Sequence, residues 1–275
     1  GFLGSSLVRT LLKNKYEIGI IIRFSSDLSN LNDKKNKINV FQYNGDIESL
    51  ISVFKKYKPQ QVIHLASNFI AEHKTNQVNS LIQSNITFGL HLLEAMKVTG
   101  LKDLINTGTS WQHYNNEDYN PVCLYAATKQ AFESLLEYYV QAEAFRVITL
   151  KLFDTYGESD NRPKLINILN KLANEQTELN MSAGEQLLSL VHVSDVCKAF
   201  MLCINILNKD EFIGSKSYSL RNNEFFMLKD VIKLFEKVTS KKINIKWGAK
   251  PYRKREVMKL WDRGENLPNW KPQIS

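Results

Sequence analysis

The sequence predicts an α/β protein built on a doubly wound parallel sheet, with a smaller lobe toward its C-terminal end. Three observations carry that prediction. Short, β-rich apolar runs alternate with amphipathic helical patterns through the first half of the chain. Two glycines, Gly1 and Gly4, open directly into one of those helical patterns. After Thr155 the alternation weakens, and loops and helices dominate.

The elements follow in order. A helix is expected over Ser5–Asn14, then strands over Ile18–Ile22 and Asn39–Gln42, and a helix over Ile47–Tyr57. Next come a strand over Gln61–Leu65, a long helix over Val78–Thr99, a strand over Asp103–Asn106, a helix over Tyr125–Glu143 and a strand over Arg146–Leu150. Helical patterns at Lys164–Glu175, Ser194–Asn205 and Lys229–Val238, with a strand at Ser217–Leu220, complete the reading. Residues 1–155 are assigned to a dinucleotide-binding domain. Residues 156–275 are assigned mainly to a substrate lobe over the carboxyl ends of the strands, with some segments returning to the first domain. A doubly wound domain starts with a buried strand and a glycine turn. The expectation is therefore that this sequence lacks its first strand and the first glycine of that turn, and that Trp270-Lys271-Pro272 leads into a helix cut at Ser275.

Composition narrows the class. The chain has 275 residues, 43% hydrophobic and 23% charged, which suits a packed core and excludes a disordered chain. No apolar run approaches the roughly 18–20 residues of a membrane span. Cys123, Cys197 and Cys203 are scattered without metal-ligand spacing, and an odd number argues against a disulfide framework; no metal site is expected, and the compartment is expected to be cytoplasmic. The net charge of +8 is spread along the chain without a nucleic-acid-binding motif. It reads as a solvated face that also attracts anionic cofactors and nucleotides.

A helix that starts right after glycines offers free N–H groups and a positive dipole end to a pyrophosphate. In Gly1-Phe2-Leu3-Gly4, Gly1 allows a phosphate to approach and Gly4 allows close helix–strand packing; a packing turn without ligand explains two glycines equally well. Arg23 follows Ile20-Ile21-Ile22, at the strand end where NAD-binding folds place a carboxylate for the ribose. An arginine there suits the 2′-phosphate of NADP, with Ser25 and Ser26 as further donors, so NADP(H) is preferred and NAD(H) is the second option. Asp46-Ile47 is placed to meet the adenine, and Asp46 equally to cap a helix.

Tyr125 and Lys129 stand four residues apart, the only tyrosine–lysine pair at that spacing in the chain, and on a helix they share one face. A free tyrosine titrates near ~10, so a neighbouring positive charge is needed to make it an acid/base near neutrality. Ser110 follows the strand Asp103–Asn106 through Thr107-Gly108-Thr109, where a hydroxyl can hold a substrate carbonyl. Thr109 is the alternate, and a turn hydroxyl is the plain alternative for either.

These residues belong to a longer set. With Gly1-Phe2-Leu3-Gly4 go His64-Leu65-Ala66, Asn85 with Gly89 ahead of Leu92-Leu93-Glu94-Ala95, Leu152-Phe153-Asp154-Thr155-Tyr156-Gly157 and His192-Val193-Ser194-Asp195-Val196. The chain thereby resembles the extended short-chain dehydrogenase/reductases of the NAD-dependent epimerase/dehydratase family. The resemblance implies a Rossmann-type domain, a nicotinamide nucleotide and a nucleoside-diphosphate sugar. It implies that Lys129 also bonds the nicotinamide ribose and that Leu65, Ala66 and Ser67 line the cofactor cleft. It implies a homodimer through helices 78–99 and 125–143.

Within the family, sugar 4,6-dehydratases carry an Asp-Glu pair directly after the active-site hydroxyl; here those positions are Trp111 and Gln112, neither able to transfer that proton. Epimerase/reductases of the GDP-fucose synthase kind use a cysteine where Gln112 stands. C4 epimerases mostly hold NAD, against which Arg23 weighs. What remains is an NADPH-dependent 4-ketoreductase. Leu124 through Glu133, Gly184-Glu185-Gln186 and Pro251-Tyr252-Arg253 resemble CDP-abequose and CDP-paratose synthases, which make dideoxyhexoses for bacterial surface polysaccharide. Substrate contacts are expected from Ser110, Trp111, Asp154, Arg162 and Arg253. Lys164 is a further candidate for the phosphate, because Leu187-Leu188 stand where relatives place a phosphate-binding arginine. Asp154 stands where relatives often place an asparagine. Arg253 also fits an ordinary basic cluster with Lys254 and Arg255, and His192 a packed strand. The alternatives are a C4 epimerase or a 4,6-dehydratase. A non-catalytic dinucleotide sensor is disfavoured because both Tyr125 and Lys129 are kept.

Overall fold

The computed structural model describes residues 1–175 and 177–274. Its first half runs α1 (Phe2–Lys13), β1 (Gly19–Ile22), β2 (Asn39–Gln42), α2 (Ile47–Tyr57), β3 (Val62–His64), α3 (Val78–Ile82), α4 (Phe88–Thr99), β4 (Asp103–Thr109), α5 (Leu124–Glu143) and β5 (Arg146–Leu152). The second half adds β6 (Asp154–Tyr156), α6 (Leu165–Glu175), β7 (Leu179–Asn180), β8 (Leu187–Leu188), β9 (Leu190–His192), α7 (Val193–Leu207), β10 (Ser215–Leu220), β11 (Phe226–Met227), α8 (Leu228–Thr239) and β12 (Ile245–Lys246).

The main sheet is wholly parallel, in the order β10-β5-β4-β3, and β1 pairs with β2 in a separate parallel ladder. Period-2 alternation splits each central strand between two cores. On β4, Ile105 faces the layer of α1 and α7, whereas Leu104 faces the layer of α2, α4 and α5. On β5, Ile148 and Leu150 go to the first layer and Val147 to the second. Helices on both faces of a parallel sheet give the Rossmann-type architecture that the alternating pattern predicts.

Local chemistry sets the element ends. Asp46 caps α2, its carboxylate accepting the Ser49 N–H at 2.8 Å, which realises the capping alternative for that residue. α4 stops at Gly100, whose φ of 77° suits a residue without Cβ. The helix expected over 78–99 is interrupted: a π-turn at Gln83–Thr87 joins α3 to α4. Strands β4 and β5 run three and two residues beyond their expected ends, because their paired ladders continue to Thr109 and Leu152.

After β5 the chain leaves the sheet and comes back. Leu169 and Leu172 of α6 pack with Leu228 and Ile232 of α8 and with Ile243 in a separate small core. β7 pairs with β12, and β8 with β11, beside it. Between these pieces α7 and β10 return to the main sheet, so the lobe is made of two chain segments. No helix among the described residues is long and apolar enough to cross a membrane. No group of histidine, cysteine or carboxylate residues among them could hold a metal ion.

Candidate active site

The site gathers at the carboxyl ends of β3, β4 and β5, where open parallel sheets bind ligands. β4 delivers Ser110. The chain turns sharply there because Gln112 Oε1 accepts the Thr109 N–H at 2.9 Å and Thr109 Oγ1 accepts the Trp111 N–H at 3.3 Å. Ser110 and Gln112 are buried; the Trp111 ring remains half-exposed. Helix α5 then returns over the sheet with Tyr125 and Lys129 on one face.

Both side chains look toward β3 and the loop that follows it. The Tyr125 ring stands edge-on to Phe69 at 5.0 Å, and its phenol lies near Ser67. Lys129 is 2% exposed and lies close enough to His64, at the end of β3, to help hold that imidazole neutral. Burial pushes the Tyr125 phenol up to about 12, opposed by the nearby Ser67 hydroxyl. Burial likewise draws the Lys129 ammonium down to about 8, opposed by Glu133 and assisted by Lys151. The sequence argument expected a cation to lower the phenol. In the folded chain desolvation is the larger effect on both groups: Lys129 is buried near His64, and Tyr125 is partly buried against the loop that follows β3.

Asn85 locks this corner. The π-turn brings its buried side chain inward, where Oδ1 accepts from the Asn68 N–H at 2.7 Å and the Ser67 hydroxyl at 3.2 Å. Its Nδ2 donates to Asn68 O at 3.1 Å and to Thr128 Oγ1 at 2.9 Å. Thr128 in turn donates to the Tyr125 carbonyl at 2.7 Å. One amide thus ties the Ser67–Phe69 loop to the first turn of α5. π-turns often mark such functional places.

Around Tyr125 lies an aromatic and charged rim. Phe69 meets Trp111 at 5.5 Å, Lys164 Nζ sits 4.5 Å over the Phe69 ring, and the Arg253 guanidinium sits 5.4 Å from the Trp111 ring centre. Each cation has a carboxylate: Lys164 reaches Asp154 at 3.6 Å, and Arg253 grips Glu256 at 2.6 and 3.0 Å. Asp154, Tyr156, Lys164 and Leu188 line an adjoining cavity of about 80 Å³. Arg162 lies elsewhere. Its guanidinium pairs with Asp160 at 2.7 Å and stacks 4.6 Å over Phe2, at the glycine turn and not on the Trp111 rim.

At the other end of the cleft, α1 begins at Gly1 with no side-chain cap, so its first-turn N–H groups stay available to an anion. A Cβ built on Gly1 would meet nothing within 4 Å, and one on Gly4 would meet only Leu65 Cδ1 at 3.9 Å. Through the Leu65 contact this turn borders the end of β3, one loop away from Tyr125. These residues fit a dinucleotide laid across the end of the sheet. Leu3 and Leu65 pack at the edge of the first core, while Ala66 and Ser67 are exposed beside them. Arg23 is exposed at the end of β1, its N–H on Ser26 Oγ at 3.0 Å. Asp46 is occupied in capping α2, and Ile47 packs on the second core. Arg23, Asp46 and Ile47 make no side-chain contact with the Tyr125 cluster. Sequence reasoning missed Phe69 and the role of Asn85. An aromatic directly after three small polar or apolar residues past a strand, Ala66-Ser67-Asn68, was the available signal.

An α/β dinucleotide fold with a tyrosine–lysine pair in its cleft defines the class. More narrowly, the chain belongs to the NAD dependent epimerase/dehydratase family, whose profile matches residues 1–212. It is 26% identical over 259 residues to a CDP-abequose synthase of Yersinia pseudotuberculosis, covering 94% of this chain and 88% of that one. It is also 26% identical over 296 residues to a putative UDP-glucose 4-epimerase of Methanocaldococcus jannaschii, covering 100% and 91%. In fold it resembles the Thermus thermophilus UDP-glucose 4-epimerase in complex with NAD, with a TM-score of 0.82, 20% identity, and coverage of 100% and 92%.

Proposed function

We propose that this protein is a nucleotide-sugar 4-ketoreductase that uses NADPH, acting in the cytoplasm on a nucleoside-diphosphate deoxysugar, with CDP as the nucleotide, for surface polysaccharide. The observation that carries the reading is the pairing of a protonated phenol with two residues after Ser110, Trp111 and Gln112, that cannot transfer a proton. With its phenol pushed up to about 12, Tyr125 keeps its proton at neutral pH, as a group that must protonate a carbonyl oxygen requires. Dehydration needs an extra proton-transfer pair. Gln112 is turned inward onto Gln130 at 2.6 Å and Glu133 at 3.2 Å, and Trp111 is engaged with Phe69 and Arg253. The name of the Yersinia relative, a CDP-abequose synthase, agrees with this choice.

In this reading Gly1, Phe2, Leu3 and Gly4 hold the pyrophosphate, Arg23 the 2′-phosphate, and Leu65, Ala66 and Ser67 the wall beside the nicotinamide. Lys129 bonds the nicotinamide ribose, and Asp46 and Ile47 border the adenine. The cofactor supplies a hydride. Ser110 orients the sugar carbonyl, and Tyr125 gives its proton to the carbonyl oxygen. Trp111, Asp154 and Arg253 hold the sugar and diphosphate, with Lys164 beside them. Arg162, stacked on Phe2, braces the glycine turn from the substrate side. Two copies associate through α3–α4 and α5.

The C4-epimerase reading has support of its own: the Methanocaldococcus relative carries that name, and the Thermus protein holds NAD. One assay separates the two. The protein is given CDP-, dTDP-, UDP- and GDP-linked 4-keto-6-deoxysugars with NADPH or NADH, and separately the corresponding sugars at alcohol level with NAD. Stoichiometric NADPH oxidation by a keto sugar is expected. Tyr125→Phe should lower it by about 10²–10⁴-fold with cofactor binding retained. Interconversion of C4 alcohols without net cofactor change would replace the reductase reading with the epimerase one.

A further inference from the structure

Beneath the site lies a buried ion pair that the reading above does not use. Lys151 on β5 donates to Glu133 Oε2 on α5 at 2.6 Å, with side-chain exposures of 5% and 16%. The other oxygen of Glu133 accepts from Gln112 Nε2 at 3.2 Å, and that same amide holds the Thr109 N–H that shapes the Ser110 turn. Glu133 also stands one helical turn after Lys129, on the same face of α5. The fit is tight: a Cβ on Gly108, opposite Lys151 in the ladder, would fall 2.6 Å from Glu133 Oε1 and 2.6 Å from Lys151 Cδ. A single carboxylate therefore holds the Lys151 ammonium and, through Gln112, the turn that carries the serine, one helical turn from Lys129.

We propose that Glu133, paired with Lys151, is a positioning residue for the reaction centre, holding the Lys129 ammonium and the Ser110 turn in one fixed arrangement. The proposal rests on the ketoreductase reading for its catalytic meaning and on the contacts of Glu133 with Lys151 and Gln112 for its geometry. Four groups face Lys129. Tyr125 and Glu133 come from its own helix, His64 from β3 and Lys151 from β5. Tyr125 is neutral, and His64, buried and drawn down to about 3, is neutral as well. Glu133 is thus the sole negative charge against two positive ones. Without it, the charges of the Lys129 and Lys151 ammonium groups are left uncompensated, and Lys129 sheds its proton at lower pH.

The test follows the Lys129 side chain in the full-length chain labelled with ¹³C-lysine, its signal assigned by loss in Lys129→Arg, with the alkaline limb of kcat/KM recorded beside it. Glu133→Gln should lower the Lys129 midpoint by about one pH unit or more and draw the limb down with it. Glu133→Gln combined with Lys151→Met should recover much of that shift, because the opposing ammonium has gone. Lys151→Met alone, which leaves Glu133 to Lys129, should raise the midpoint; it decides the matter if Glu133→Gln does not fold. Midpoints that coincide in all folded variants overturn the proposal. A moving midpoint in a protein that reduces none of the keto sugars leaves the positioning pair standing and removes only the ketoreductase reading.

Discussion

Tyr125 and Lys129 carry opposite shifts with one cause. Burial disfavours whichever form is charged, so the phenol rises and the ammonium falls. The pair is thereby set with the proton on oxygen, ready to be given away. Arg23 stands in the other regime, exposed at the end of β1. If it reads the 2′-phosphate, Arg23→Asp removes charge-assisted hydrogen bonds of about 1.5–3 kcal/mol. NADPH affinity should then drop by roughly 10–100-fold, with NADH affinity held or improved. Fluorescence titration with both nucleotides measures this, and an unchanged ratio of the two dissociation constants would remove Arg23 from the cofactor site.

At the scale of elements, the decisive one is the helix over 78–99. Its pattern reads as a single amphipathic helix, yet five residues in its middle adopt a π-turn, Gln83–Thr87. That turn rotates Asn85 into the loop after β3. Just past it, Gly89 lets α4 lie against α5: a Cβ there would fall 2.8 Å from Phe132 Cδ2, in a ring with no exposed surface. Gly89→Ala gains about 0.5–1 kcal/mol of helix propensity and costs about 1–3 kcal/mol by overpacking. The net effect should be a lower melting temperature, together with weakened Tyr125 chemistry because α5 carries the tyrosine. Thermal unfolding of the variant at or above the wild-type temperature would show that Phe132 yields and that the glycine is not required.

For the whole molecule, the segment after α8 closes the structure over the site. His113 stacks on Trp261 at 3.8 Å, Arg263 donates to the Asn116 carbonyl at 2.9 Å, and Asp195 accepts the N–H groups of Gln273 and Ile274 at 2.8 and 2.9 Å. Arg253 reaches Trp111 from this strap. The outer face of α5 is less finished. Ala131, Leu135, Tyr138 and Ala142 form an exposed stripe at helical spacing along α5, with Leu135 39% and Tyr138 56% exposed, and Ile82 of α3 is 38% exposed. If copies pair through this face, sedimentation should give twice the mass of 31.7 kDa, and Leu135→Glu with Tyr138→Glu should halve it. A monomeric wild-type protein would discard the pairing.

By itself the sequence determined the parallel α/β architecture, because strand and helix periodicities are local and the core positions follow from them. It also placed Tyr125 and Lys129 on one helical face, a consequence of spacing alone, and Ser110 at a strand end. Only the tertiary structure decided what surrounds them. Asn85 reaches the loop after β3 through a π-turn that no periodicity announces. Glu133 and Lys151 meet across an interface between α5 and β5, eighteen residues apart in the chain. Arg162 goes to Phe2 and Arg253 to Trp111, a division that two surface arginines in a sequence do not reveal. The shifts of Tyr125 and Lys129 likewise come mainly from desolvation, which depends on what packs against a side chain and not on its neighbours in sequence.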